Sequence, residues 1–203
     1  MSERDTNNPR RGRLQLLILM LMPISVVLMA TFVFYTRIGM PDGTRNKGEL
    51  ISPPLQFHSL SLTDATGKPF QLTEKKDLWA FVVMFPPRCD DYCKQQLWET
   101  RQTRVSLGKY QGNIRRVWLV AGGKPDEQTM IWLAKEHADL VVVYVDSVER
   151  DSWLQSAALP DGIVGSARFF LMDPRGFVMM YYTPTDTYKD VITDMKFLLK
   201  GVE

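Results

Sequence analysis

Cys89 and Cys93 are the only cysteines in this 203-residue chain, and they stand where an apolar run gives way to a helix-forming one. Leu78-Trp79-Ala80-Phe81-Val82-Val83-Met84-Phe85 is β-prone throughout, Pro86-Pro87 ends it, and Arg88-Cys89-Asp90-Asp91-Tyr92-Cys93 opens a helical pattern. The positive end of a helix dipole favours a thiolate, as does Arg88, whereas Asp90 and Asp91 oppose one. Residues four apart on a first helical turn hold their Cα atoms about 6 Å apart, a separation that a disulfide spans. Three chemistries are open to the pair. It can exchange with a partner's disulfide, Cys89 attacking and Cys93 resolving. As two thiolates, it suits the soft ion Cu(I). As a structural bridge, it closes so short a loop that it stabilises by less than the ~3 kcal/mol of a 15-residue loop.

Cu(II) usually wants nitrogen or oxygen ligands beside the thiolates, and the candidates for a further donor are His58, His137 and Met84. Each has an ordinary structural reading. His137 falls on the core-facing stripe of a helix near its end, His58 alternates along an edge strand, and Met84 lies inside an apolar run. Arg101-Gln102-Thr103-Arg104 reads as the solvated face of a helix, and Trp98 or Tyr182 could offer a docking surface near the thiols. Hydrolase triads, phosphate loops and zinc spacings are absent from the sequence.

The stretch Leu14–Thr36 carries no charge and is long enough, at about 1.5 Å per residue, to cross the roughly 30 Å core of a bilayer. It exceeds the apolar core of a signal peptide and is followed by no small-x-small cleavage site, so it reads as an uncleaved anchor. Arg4, Arg10, Arg11 and Arg13 precede it, which sets residues 1–13 as a cytoplasmic tail and exports the rest. In a bacterium this means a single pass through the inner membrane and a periplasmic C-terminal part, where a disulfide persists. The net charge of +2 is accounted for by that tail, with its four Arg against Glu3 and Asp5. The exported part is therefore neutral overall and carries no basic stripe, which gives nucleic-acid binding little support.

Residues 37–52 read as a polar linker and residues 53–203 as one domain, which Pro53-Pro54 gives an extended entry. Phe57–Leu62 alternates and Pro69–Leu72 returns, an edge hairpin. Strands follow at about 78–85, 113–121 and 140–145, with helices at about 90–108, from Pro125 at a first helical position, and around 148–158. Arg168–Met172 and Phe177–Tyr182 form a hairpin about the turn Asp173-Pro174-Arg175-Gly176, of whose five aromatics half should be core. Tyr188, Val191, Ile192, Met195, Leu198 and Leu199 mark a final helix. This order predicts an α/β domain with a thioredoxin-like mixed sheet flanked by helices, an N-terminal edge hairpin and a single transmembrane helix.

Gly48-x-Leu50-x-x-Pro53, Leu60-x-Leu62-x-Asp64-x-x-Gly67, the C-x3-C pair and Leu171-x-Asp173-Pro174-x-Gly176 stand in an order that resembles the SCO/SenC family. The resemblance covers roughly residues 48 to 200 and implies a membrane-anchored thioredoxin-like protein that helps assemble the copper centre of cytochrome c oxidase. The partners it implies are an oxidase subunit or its assembly factors, and the cofactor it implies is copper on Cys89 and Cys93. The family's third copper ligand is a histidine, and Gly165-Ser166 stands in its place, with no histidine anywhere in residues 138–203. The loop Ala121-Gly122-Gly123-Lys124-Pro125 lacks the family's aspartates, and no proline directly precedes Arg168. The chain thus reads as a divergent member without the copper-ligand histidine. The expected function is thiol–disulfide exchange in oxidase assembly, against a Cu(I) metallochaperone or a non-enzymatic scaffold with a structural disulfide.

Overall fold

The computed structural model describes residues 9–36, 46–70 and 78–200 of the chain. It divides into two units, Met1–Arg45 and Asn46–Glu203. The first holds helix α1, Pro9–Thr36, in which Gly12–Thr36 is long and apolar enough to cross a membrane. Its Leu, Ile, Val, Met and Phe side chains are exposed nearly all along its length, as suits a helix that lipid would cover. Pro23 lies inside it.

The second unit runs β1 (Glu49–Gln56), β2 (Trp79–Phe85), α2 (Asp91–Ser106), β3 (Ile114–Ala121), α3 (Glu127–Glu136), β4 (Leu140–Val145), α4 (Ser147–Gln155), α5 (Ile163–Ser166), β5 (Phe169–Met172), β6 (Phe177–Tyr182) and α6 (Tyr188–Leu199). Its strands form one six-stranded sheet in the order β1-β6-β5-β2-β3-β4. β2, β3 and β4 are parallel, and β5, β6 and β1 add to them antiparallel, so the sheet is mixed. Four helices start where a side chain accepts a hydrogen bond from the first turn: Asp90 for α2, Asp126 for α3, Asp146 for α4 and Thr187 for α6.

Alternation along buried strands builds two cores. Ala80, Val82 and Met84 of β2 join Leu55, Phe170 and Trp153 on one face, while Phe81, Val83 and Phe85 join Leu97, Trp118 and Leu199 on the other. Because both faces are covered, four of the five hairpin aromatics are buried rather than half: Phe169, Phe170, Tyr181 and Tyr182. The turn between β5 and β6 is as expected, with Gly176 N–H donating to Asp173 O at 3.0 Å and Gly176 at φ +87°, where a side chain is disfavoured.

Three expectations are corrected. The edge strand is β1 at Glu49–Gln56, inside what read as linker and proline-led entry, and the chain is already buried at Ile51. Pro53 and Pro54 obscured it, yet an edge strand tolerates donorless residues, and the register with β6 shifts between Leu50 and Leu55. The expected strand at 57–62 is instead a single 3-10 turn, Phe57–Ser59, because Phe57 N–H turns to Gly176 O at 2.9 Å. Thr63 makes single bridges to Pro69 and Tyr144, and the expected return at Gln71 and Leu72 lies outside the described residues. Third, Pro125 precedes the α3 cap Asp126 rather than occupying a first helical position.

Candidate functional site

The site is built by one strand end and two helix starts. Trp118 Nε1 donates to Phe85 O at 3.2 Å, fixing the end of β2, and Pro86-Pro87-Arg88 carries the chain to Cys89. Asp90 then takes an extended conformation, and its Oδ1 accepts the Cys93 N–H at 2.9 Å, so Cys93 is the third residue of α2. Cys89 and Cys93 are bonded to one another, with S–S 1.99 Å and Cα–Cα 5.2 Å. Both sulfur residues are buried in the core cluster with Phe85 and Leu97, Cys89 at 8% exposed and Cys93 at 1%, and only Cys89 lines the adjoining cleft.

Cys89 opens onto a cleft of about 580 Å³ that Arg88, Asp90, Asp91 and Lys94 line on one side and Asp126, Thr129 and Trp132 of the α3 start on the other. Lys94 leans to Asp91 at 3.9 Å. Asp126 accepts from Thr129 N at 2.7 Å and Thr129 Oγ1 at 3.1 Å, and these bonds hold its carboxyl below the usual range. The sequence reading missed Asp126 and Trp132 as neighbours of the sulfurs; the cap signal Asp126-x-x-Thr129 marks the helix start, but its approach to Cys89 is tertiary. On the other flank, Tyr92 meets Phe85 edge-on at 5.8 Å and donates to Ser166 O at 3.2 Å, and burial pushes its pKa up.

None of the candidate third copper donors is brought to the sulfurs. Met84 sits in the core on the opposite sheet face from Cys89 and Cys93. The His58 ring lies against Gly176, filling the space that a Cβ there would need. His137 caps the C-terminal end of α3, buried, with Nδ1 3.3 Å from the Arg116 guanidinium. Among the described residues no group of three His, Cys, Asp or Glu could hold a metal. With no third donor beside the sulfurs among the described residues, the residues present do not fit a three-ligand copper centre.

Two further expectations change. Tyr182 is fully buried, donating to Asp194 Oδ2 at 3.2 Å, and so offers no docking surface. Trp98 is exposed but lines a separate groove of about 480 Å³ beside Arg168 and Tyr188. Arg101 and Arg104 are not merely solvated: Arg101 donates to Glu136 O at 2.7 Å, and Arg104 donates to Gln111 O and Ile114 O and pairs with Asp139. They tie α2 to the far ends of α3 and β3. Arg116, 1% exposed, reaches the same Asp139 at 3.0 Å.

A mixed sheet with a cystine where its central strand yields to a helix defines a thioredoxin-like domain. The chain belongs to the family described as "transmembrane-like, thioredoxin-like, C-terminal domain", whose model matches residues 79–201. No curated protein matches the chain by sequence. Solved structures show the same fold. The apo Sco1 protein of Thermus thermophilus is 16% identical with a TM-score of 0.55, over 77% of this chain and 100% of that one. Yeast Sco1 with copper bound is 16% identical with a TM-score of 0.54, over 78% and 95%. A SCO1/SenC family lipoprotein of Bacillus anthracis is 20% identical with a TM-score of 0.51, over 74% and 95%. At these identities the likeness is one of fold, and it falls on the family that the sequence motifs resemble.

Proposed function

We propose that this chain is a membrane-anchored thiol–disulfide redox protein that assists assembly of the copper centre of cytochrome c oxidase. One observation carries the reading: the cystine has one half at the rim of a polar cleft, Cys89, and the other buried behind it, Cys93. In the reduced state, the Cys89 thiolate attacks a partner's disulfide, forming a mixed disulfide and releasing one partner thiolate. Cys93 then attacks the Cys89 sulfur, closing the cystine and releasing the second partner thiolate. The partner gains two electrons and two protons, which a dithiol reductant must return to this chain. The oxidase and its copper-site cysteines as partner are drawn from the SCO/SenC resemblance. The accompanying topology is a single pass through a bacterial inner membrane by α1, with residues 1–13 cytoplasmic and the thioredoxin-like domain periplasmic.

The test is trapping in cells. Cys93→Ser should accumulate a mixed disulfide between Cys89 and the partner, Cys89→Ser should not, and either change should lower oxidase activity. Full oxidase activity from a Cys89→Ala, Cys93→Ala double variant would refute the proposal and leave a scaffold with a structural bridge. One Cu(I) retained per reduced wild-type chain would instead support the metallochaperone reading, against which the missing third donor stands.

A further inference from the structure

Two helices begin at the cystine cleft, α2 at Asp90 and α3 at Asp126, and residues of both starts line it beside Cys89. A helix N-terminus carries roughly half a positive charge. Left bare, two such ends would stabilise thiolates, favour the dithiol and make the cystine a strong oxidant. Neither is bare. The Asp90 carboxylate takes the N–H of Cys93 itself, at 2.9 Å, and so sits between the two half-cystines in the chain and against one of them in space. The Asp126 carboxylate takes the N–H and the hydroxyl of Thr129. Each cap places a full negative charge where the dipole offers a fractional positive one, so both helix starts face the sulfurs with a net negative field. The other charges lining the cleft do not reverse this: Lys94 leans to Asp91, which leaves Arg88 alone against the two caps.

We propose that Asp90 and Asp126 set the Cys89–Cys93 couple to the reducing side by neutralising the two helix N-termini that face it, which fits the pair to reduce a partner's cystine rather than to oxidise a partner's thiols. The inference rests on the reading of the pair as a redox couple and names the residues that set the direction in which that couple works. Asp90 and Asp126 act through the sulfurs and are positioning residues, so their signature is a potential and a thiol pKa rather than loss of the fold.

The experiment equilibrates the full chain in detergent with reduced and oxidised glutathione or dithiothreitol, and follows the pH dependence of Cys89 alkylation in the reduced protein. The variants are Asp90→Asn, Asp126→Asn and their combination, with Asp64→Asn in a turn outside the cleft as control. Asparagine caps helices about as well as aspartate, and Asp90→Ser is a second capping variant should the first fold poorly. Each single cap variant should move the equilibrium about three- to tenfold toward the dithiol. Tenfold is about 30 mV for a two-electron couple. Alkylation of Cys89 should extend to lower pH, the double variant should shift further, and Asp64→Asn should not shift. Folded cap variants that keep the wild-type equilibrium and alkylation profile would overturn this inference and leave the redox reading standing. A wild-type cystine that never reaches a reversible equilibrium would overturn both.

Discussion

Acidification from pH 7 to 4.5 is expected to destabilise the globular unit through one side chain, His137. It is 4% exposed, its ring meets Trp132 edge-on at 4.8 Å, and its Nδ1 faces the Arg116 guanidinium at 3.3 Å. Burial first, and Arg116 after it, push its pKa from 6.5 down to about 4. The unfolded chain takes up a proton below about pH 6.5, while the folded chain refuses it until about pH 4. The stability that follows is therefore whole above pH 6.5 and drains as the pH falls toward 4. Linkage puts the loss at about 2 kcal/mol by pH 5 and about 3 kcal/mol by pH 4. Urea unfolding followed by tryptophan fluorescence reads it cleanly, because all five tryptophans lie beyond residue 46 and report only the globular unit. Asp64, Asp126 and Asp190, whose carboxyls are held below the usual range, titrate beneath this window. His137→Gln should flatten the profile between pH 7 and 4.5. If wild type and variant lose stability in parallel across that range, the assignment to His137 is wrong.

Gly48→Ala should lower stability by about 1–3 kcal/mol, as overpacking does. A Cβ there would fall 2.7 Å from Met180 Sδ and 2.8 Å from Tyr182 Cε1, while Asp194 holds the Lys47 and Gly48 N–H groups from the other side. A wild-type urea midpoint in this variant would show that the N-terminal entry is looser than this packing requires. Gly165→His should give the reduced chain a Cu(I) retention that wild type lacks when both are washed with a competing chelator. A Cβ at Gly165 meets nothing within 4 Å, and the Tyr92–Ser166 hydrogen bond holds that stretch against the first turn of α2. Equal copper content in the two proteins would refute the view that the missing imidazole sets this chain apart.

The parts of the fold legible in the sequence are those where period and punctuation agree. β2 was marked by an unbroken apolar run closed by Pro86-Pro87, α6 by its Val191, Met195 and Leu199 stripe, and the β5–β6 turn by Asp173-Pro174-Arg175-Gly176. β1 was hidden because Glu49–Ser52 reads as linker and its two prolines as an extended entry, and what makes them acceptable in a strand is an edge position that only tertiary pairing with β6 defines. The sulfur pair was legible for the same reason as β2, since it follows a strand that could not be mistaken. Its surroundings were not, because Asp126 and Trp132 lie more than thirty residues away in sequence and reach Cys89 through the parallel register of β2 with β3. Arg116 was equally opaque. A charge in the middle of a buried strand reads as an error until Asp139, Thr100 and the Leu97 carbonyl are seen to satisfy it.

The unequal burial of the two sulfurs bears on the exchange role proposed for the pair. A staple across this loop would contribute about 2 kcal/mol by the chain-entropy estimate. The domain already has packed cores on both faces of its sheet. Two reduced thiolates suit Cu(I), and among the described residues no third donor is grouped with them. The proposed exchange makes use of the asymmetry. An incoming thiolate meets the Cys89 sulfur at the cleft, and Cys93, shielded from competing nucleophiles at the start of α2, is left as the sulfur that departs and returns. Reversing those roles would require the first turn of α2 to open, which costs the Asp90 cap as well as the packing of Cys93 beside Leu97.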